Sequence, residues 1–283
     1  MASSSIDSNT LFRVDGIVAV ITGGGTGIGL TMARALAFNE PARSTSSGAA
    51  KTSSRPPPKN TLVWCHSIGY VNLVVANSGT IGPPVRFNPS HSVPELRDTL
   101  FENFSMEEMT QTLHLNVTAA FFTMTAFLEL LDAGNKNAIT GGFGEPLGEE
   151  VGSGVQSIQS QVIFTTSISA FSRHWSSSPP YLTSKVAIMQ VTKHASTQLA
   201  RFGIRVNAIA PGIYPSELAS VLISTRKPEE ETIDDPRFIP ARFGGDEEMA
   251  GAILYLASRS GSYSNGSILI TDGGRLSVMG STY

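Results

Sequence analysis

The sequence is poor in cysteine and has no long hydrophobic segment. Its single cysteine, Cys65, excludes an internal disulfide among the 283 residues and is typical of a reducing compartment. No run approaches the roughly 20 apolar residues that a membrane-spanning helix needs. The polar start, MASSSIDSNT, lacks the apolar core of a secretory signal. We therefore expect a cytoplasmic protein without a membrane partner.

The chain also lacks an excess of positive charge and a pattern of metal ligands. The formal net charge is −3, which argues against nucleic acid as a partner because nucleic-acid-binding proteins usually carry a basic surface. The histidines show no spacing typical of metal ligands, so we predict no metal site. The apolar content of 41% is ordinary for a globular protein with a sizeable core.

Short apolar segments alternate with helical patterns along the chain. Five of these segments are predicted to be buried strands, because they are short, mostly β-branched and followed by glycine or polar residues. They are GIVAVIT, YVNLVVANSG, QVIFTTS, IRVNAIAPG and GSILITDGG. Strands that alternate with helices favour an α/β fold. We predict a doubly wound parallel sheet of Rossmann type in a single domain, residues 1–283.

Capping residues give the expected ends of the helices. Ser105 with a glutamate three residues later forms a capping box, and Gly134 suits the C-terminal end of that helix. Gly203 and Asp246 are expected to end one later helix and to cap the next.

The Gly-rich segment 135–160 is predicted to be an exposed surface loop. It joins a helix to the N-terminus of a strand, so we expect it to lie far from a ligand at the carboxyl ends of the strands.

The segment TGGGTGIG directly follows the first predicted strand and opens a helix. Its glycines at 23, 27 and 29 leave backbone that a pyrophosphate can approach, and the helix N-terminus supplies N–H donors and a partial positive charge. A tight turn without a ligand is the alternative. The position between strand and helix favours nucleotide binding.

The segment YLTSK places Tyr181 and Lys185 four residues apart, on one face of a helix. A neighbouring ammonium group lowers the pKa of a phenol, which makes tyrosine a better proton shuttle, provided that the cleft is partly desolvated. An ordinary surface pair is the alternative. The hydroxyls of VIFTTSIS are expected at the carboxyl edge of the sheet, where doubly wound sheets bind ligands.

Taken together, these motifs resemble the classical short-chain dehydrogenase/reductase family. TGGGTGIG, Asn-Ser-Gly at 77–79, Asn116, Thr-Thr-Ser ending at Ser167, YLTSK and Pro211-Gly212 recur in family order from about residue 12 to residue 275. The resemblance implies a nicotinamide-dependent oxidoreductase that interconverts a carbonyl and an alcohol on a small organic substrate. It also implies NADP, or NAD, as cofactor and a homodimer or homotetramer as the assembly.

The resemblance assigns four catalytic roles. Tyr181 is the general acid and base, and Lys185 lowers its pKa and holds the nicotinamide ribose. Ser167 orients the carbonyl or alcohol, and Asn116 holds a water in a proton relay from Lys185. Ser167 lies fourteen residues before Tyr181, one more than the family pattern has, so Ser169 stays an alternative.

The resemblance also implies the residues that contact the cofactor. The glycine-rich turn would hold the pyrophosphate, Asn77 the adenosine-ribose side, and two residues after Pro211-Gly212 the nicotinamide carboxamide. The set is Gly23, Gly27, Ile28, Gly29, Asn77, Tyr181, Lys185, Ile213 and Ser216. Segment 213–245 would form a lid over the substrate.

A low-complexity linker, residues 41–60, stands where the family has a second strand. The interval from Glu40 to Val71 is short by roughly one βα unit, so the sheet edge formed by family strands two and three is expected to be reduced. No acidic residue for a ribose diol can be assigned there. The basic linker residues lean slightly toward NADP, but a solvated linker is the favoured explanation of them. A wrongly joined gene model is another explanation of the linker.

Two other functions compete with the oxidoreductase. One is a non-catalytic binding or scaffold protein of the same family, whose impaired adenosine pocket no longer holds the cofactor. The other is a serine hydrolase, but its Gly-x-Ser-x-Gly elbow does not occur in the sequence.

Overall fold

The computed structural model of the chain describes residues 7–38, 68–146, 156–175, 177–220 and 242–282. The predicted linker at 41–60 lies outside these ranges. So do residues 221–241 of the predicted lid and residues 147–155 of the predicted loop.

Five parallel strands form one sheet, in the order in which they occur along the chain. They are β1 (Ala19–Ile21), β2 (Leu73–Ala76), β3 (Gln161–Thr165), β4 (Arg205–Pro211) and β5 (Ile268–Thr271). The three central strands are buried along their whole length, as expected for a parallel sheet covered on both faces. Each strand lies within one of the five apolar segments, which confirms the predicted α/β class.

Helices cover both faces of this sheet. They are α1 (Ser8–Leu11), α2 (Gly27–Phe38), α3 (Val93–Phe101), α4 (Met106–Leu113), α5 (Ala119–Ala126), α6 (Leu128–Ile139), α7 (Pro179–Leu199), α8 (Asp246–Ala257) and α9 (Arg275–Val278). Met32 of α2 and Ile253 of α8 are buried in the core on one face. Leu131 of α6 and Ile188 of α7 are buried on the other. The single domain is therefore doubly wound.

Within the described part of the chain, β1 is an edge strand. In the family order, strands two and three would lie beyond it. The residues that would form them, 39–67, are outside the described ranges. The strands that carry the predicted site, β1 to β4, are contiguous.

The predicted helix ends are correct in two cases and wrong in two. Ser105 caps α4 as expected, and Gly203 follows α7 with a left-handed backbone. Gly134, however, lies inside α6, which continues to Ile139. A side chain at Gly134 would lie 2.3 Å from the Val71 carbonyl oxygen, so this glycine serves close packing, not helix termination. Asp246 is the first residue of α8 rather than its cap.

The predicted surface loop 135–160 is buried at both of its ends, so its predicted bounds are wrong. Asn135 is 4% exposed and Ser160 is 3% exposed. The Asn135 side chain accepts a hydrogen bond from the Ser160 N–H at 2.8 Å and donates one to the Gly203 carbonyl at 2.9 Å. A buried amide with these partners joins α6 to the N-terminal ends of β3 and β4.

No single helix in the described ranges is long and apolar enough to cross a membrane. Met106–Ala126 and Leu128–Ile139 meet that criterion only as a pair, across a bend of 45°. Met124 and Leu131 of this pair are buried in the core beneath the sheet.

Candidate active site

The glycine-rich turn connects β1 to α2, and its close packing requires glycine at positions where a side chain would collide with neighbouring atoms. A Cβ atom at Gly29 would lie 2.3 Å from the Gly23 carbonyl oxygen and 2.5 Å from Asn77 Nδ2. Gly27 has a φ of 51°, in the left-handed region that favours glycine. The first turn of α2 therefore sits closely on the end of β1, and its backbone borders the cavity described below.

Asn77 links the carboxyl ends of three strands. Its Nδ2 donates to the Thr22 carbonyl at 3.1 Å, and its Oδ1 accepts from the Thr165 hydroxyl at 3.1 Å. Thr22 Oγ1 in turn accepts from the N–H groups of Asn77 and Ser78 at 3.0 and 3.1 Å. Thr22 was not among the predicted site residues, although it is the first residue of the glycine motif.

A cavity of about 620 Å³ opens at the carboxyl ends of the strands. It brings together all the predicted site residues except Asn116. These are Gly23, Gly27, Ile28, Gly29, Asn77, Ser167, Tyr181, Lys185, Ile213 and Ser216. Segments up to about 190 residues apart in the sequence thus meet at the edge where doubly wound sheets bind ligands.

Tyr181 and Lys185 both project into this cavity from α7. Lys185 Nζ donates to the Thr165 carbonyl at 3.0 Å and lies 5.5 Å from the centre of the Tyr181 ring. Burial lowers the pKa of Lys185 to about 8, because the charged ammonium is desolvated. Burial raises the pKa of Tyr181 above its usual value. The expected lowering of the Tyr181 pKa by Lys185 is therefore not found in this structure, in which desolvation has the largest effect.

Ser167 follows β3 and is buried. A hydrogen bond with its hydroxyl opposes the burial effect on the pKa of Tyr181, and Ser167 Oγ also accepts from the Ser169 N–H at 3.1 Å. Ser169 lies in a short 3₁₀ turn, Ile168–Ala170, and lines the same cavity. Ser167 is therefore favoured over Ser169, because the hydroxyl of Ser167, and not that of Ser169, acts on the pKa of Tyr181.

Asn116 lies behind the cavity wall, not on it. It is 3% exposed and sits in a π-helical turn, His114–Thr118, between α4 and α5; such turns are frequent at functional sites. Its side chain accepts from the Thr80 N–H and donates to the Thr80 carbonyl, both at 2.8 Å. No feature of the sequence indicated this turn, because the helical pattern continues through it.

Ser184 is a further residue of the site that was not predicted from the sequence. It is fully buried, accepts from Asn116 Nδ2 at 2.9 Å and donates to the Tyr181 carbonyl at 2.7 Å. It therefore connects the π-helical turn to the helix that carries Tyr181 and Lys185. Ser184 lies within YLTSK, but the four-residue spacing on one helical face points only to the tyrosine and the lysine of that motif.

Comparison with curated proteins decides the family. Short-chain dehydrogenase/reductase SAT3 of Stachybotrys chartarum is 58% identical over 216 residues, covering 76% of this chain and 79% of the relative. The chain belongs to the short-chain dehydrogenase/reductase family. Another short-chain dehydrogenase/reductase, PhomF of Diaporthe leptostromiformis, is 38% identical over 306 residues and covers 99% of this chain and 98% of the relative. That alignment is longer than this chain, so the relative has residues that this chain lacks.

Two further comparisons agree with this assignment. The family model described as enoyl-(acyl carrier protein) reductase matches residues 151–275, which include β3, α7 and β4. A solved structure of a gluconate 5-dehydrogenase from Burkholderia cenocepacia, in complex with NADP and tartrate, has a TM-score of 0.68 and 22% identity. It covers 96% of this chain and 100% of that structure, and it shares the fold. This short-chain dehydrogenase/reductase is an NAD(P)-dependent enzyme.

Proposed function

We propose that this short-chain dehydrogenase/reductase interconverts a carbonyl and an alcohol on a small organic substrate, with Tyr181 as the acid and base. One observation carries the proposal: Tyr181, Ser167 and Lys185 line a single cavity with the glycine-rich turn. A proton donor, a hydroxyl and an ammonium group therefore border the space that the turn leaves open for a dinucleotide.

The residues of the cavity fit NADP(H), which supplies or accepts a hydride when bound. Backbone of the glycine-rich turn would hold the pyrophosphate, since a side chain at Gly29 would collide with Gly23 and Asn77. Asn77 would contact the adenosine ribose, Lys185 the nicotinamide ribose, and Ile213 and Ser216 the carboxamide. The complex of the Burkholderia cenocepacia enzyme with NADP supports NADP over NAD.

The protein side chains would handle the proton. Because burial raises the pKa of Tyr181, its hydroxyl is protonated at neutral pH and can donate to a carbonyl oxygen held by Ser167. The nearby Lys185 ammonium would stabilise the phenolate that forms. A water held at Asn116 would then return a proton to Tyr181 through Lys185. In the alcohol-oxidising direction the same groups act in reverse.

The assembly we propose is a homodimer or homotetramer formed through α5 and α7. Phe121 and Phe122 of α5 are 41% and 64% exposed, and Val186 of α7 is 39% exposed. Exposed apolar side chains on two neighbouring helices favour burial against a second copy of the chain.

The test combines cofactor binding with turnover of a panel of ketones and aldehydes. NADPH and NADH are titrated by nicotinamide fluorescence, and cofactor oxidation is followed by absorbance. Tyr181→Phe should abolish turnover while the NADPH affinity stays within a few-fold. Tyr263→Phe is the matched control, because Tyr263 is fully exposed and does not line the cavity. Turnover retained in Tyr181→Phe would contradict the role of Tyr181, and a protein that binds neither cofactor would favour the non-catalytic alternative.

A further inference from the structure

The segment Thr80–Arg86 enters the wall of the active-site cavity and is fixed at three points. Both backbone groups of Thr80 are bonded to the Asn116 side chain at 2.8 Å. The Pro83 carbonyl accepts from the Ser178 hydroxyl at 2.9 Å. Val85, directly before Arg86, is 7% exposed and packs inward. These contacts place the backbone of Arg86 firmly beside the cavity.

The middle of the segment is packed closely as well. A side chain at Gly82 would lie 2.2 Å from Thr112 Oγ1 of α4, and Gly82 has a φ of 70°. The Gly82 N–H donates to Thr80 Oγ1 at 3.3 Å. A segment held in this way is preorganised, so a ligand that binds Arg86 does not need to order the backbone first.

Arg86 is half-buried and lines the same cavity as Tyr181 and Ser167. Within the described ranges, the guanidinium of Arg86 forms no ion pair and no hydrogen bond. Among the described residues that line the cavity, Glu217 is the carboxylate, and it is not paired with Arg86. Because no contact within the described ranges occupies the guanidinium, an anion that enters the cavity can bind it without first breaking an ion pair.

We propose that Arg86 binds a carboxylate of the substrate, so that this site takes oxo acids and hydroxy acids in preference to neutral ketones and alcohols. The proposal rests on the proposed function, since it places the carboxylate in the cavity where Tyr181 acts. Guanidinium is permanently charged and planar, and its N–H groups match the two oxygens of a carboxylate. Two nearby apolar lining residues, Pro84 and Ile81, suit the carbon skeleton between the carboxylate and the reacting carbon.

The test uses a pair of ketones of nearly equal shape, 4-acetylbenzoate and 4-acetylbenzamide. Each is titrated by calorimetry into the NADP⁺-loaded protein, where no turnover occurs, and each is then offered as substrate with NADPH. We expect the carboxylate to bind about tenfold more tightly than the amide, as a charge-assisted bidentate contact would give. In Arg86→Gln this preference should fall to about twofold or less, with NADPH affinity unchanged.

Arg173→Gln is the matched control, because it removes the same charge from an exposed arginine close in sequence to the cavity residue Ser172. It should keep the preference for the carboxylate. Equal binding of the two ketones by the parent protein, no binding of the carboxylate at millimolar concentration, or an unchanged preference in Arg86→Gln would each overturn the proposal. The NADPH titration reports separately on the proposed function. Failure to bind NADPH, with Arg86-dependent binding of the carboxylate retained in the unloaded protein, would refute the oxidoreductase alone.

Discussion

The side-chain amide of Asn116 donates a hydrogen bond to the Ser184 hydroxyl at 2.9 Å, in the fully buried space behind the active-site wall. The Ser184 hydroxyl in turn donates a hydrogen bond to the Tyr181 carbonyl at 2.7 Å. The π-helical turn and the catalytic helix are therefore coupled by one hydroxyl group. Without it, Asn116 Nδ2 would keep only the Thr80 carbonyl as acceptor.

We expect Ser184→Ala to lower kcat about fivefold or more, because a lost buried hydrogen bond is worth about 1 kcal/mol. NADPH affinity should change little, since Ser184 does not line the cavity. Ser196→Ala is the control: Ser196 is also buried on α7, and its hydroxyl also donates to the carbonyl three residues earlier, Lys193, at 2.7 Å. A similar fall in kcat for both variants would mean that Ser184 acts on helix stability and does not position Asn116.

The buried ammonium of Lys185 makes stability depend on pH. Its pKa is about 8 in the folded protein, below the usual value of roughly 10.4. The unfolded chain therefore binds more protons between these two values, and stability rises with pH across this window. Below about pH 8, burial of the charged ammonium lowers the free energy of unfolding by up to about 3 kcal/mol.

Lys185→Met should thus unfold at higher temperature than the parent protein at pH 7, while losing activity. The difference in unfolding free energy between the two should shrink as the pH is raised from about 7 to about 10. Thermal unfolding of the two proteins over this pH range measures the difference at pH 7 and its change with pH. A difference that stays constant with pH would show that the ammonium is not desolvated in the folded protein.

The loop between α6 and β3 can be shortened at a defined place. The Ser157 N–H donates to the Gly144 carbonyl at 2.9 Å, so the two ends of the loop already meet. Deletion of residues 146–155 leaves Gly144, Glu145, Gln156 and Ser157 in a row, with the hydrogen bond of a four-residue β-turn between the first and the last. Because this end of the sheet is opposite the cavity, kcat and KM should stay nearly unchanged.

Asn135→Ala should be much more harmful than that deletion, since it removes the buried amide that joins α6 to Ser160 and Gly203. Loss of this network should cost about 1–3 kcal/mol of stability. Thermal unfolding and steady-state kinetics of both variants test the placement. A large fall in kcat/KM of a folded deletion variant would show that the loop reaches the active site or an essential interface.

The exposed apolar face of α5 predicts the oligomeric state. The rings of Phe121 and Phe122 contact each other edge to face, with centroids 5.9 Å apart, and Phe122 is 64% exposed. We expect a dimer or tetramer by sedimentation at micromolar concentration, and a monomer after Phe122→Glu, because a buried interface does not tolerate an unpaired charge. Phe38→Glu, at the end of α2 and 78% exposed, should leave the assembly intact. A monomeric parent protein would contradict this interface.

The helix ends show which features can be predicted from neighbouring residues and which depend on distant contacts. Ser105 caps α4 as predicted because a capping box needs only residues three positions apart. Gly134 was predicted to end a helix because glycine is common at helix ends, yet it lies inside α6. The absence of a side chain at this position leaves room for the Val71 carbonyl, which comes from a distant part of the chain. Asn135 and Ser160 are of residue types that are common in loops, but contacts with distant parts of the chain bury both of them.

The sequence by itself determined the order of strands and helices, the glycine-rich turn and the pairing of Tyr181 with Lys185 on one helical face. These features depend on periodicity and on contacts between near neighbours, which a sequence displays directly. Only the tertiary structure decided that burial raises the pKa of Tyr181, that Ser184 holds Asn116, and that Arg86 borders the cavity without a partner among the described residues. Desolvation and contacts between remote segments follow from packing in three dimensions, which no local pattern encodes.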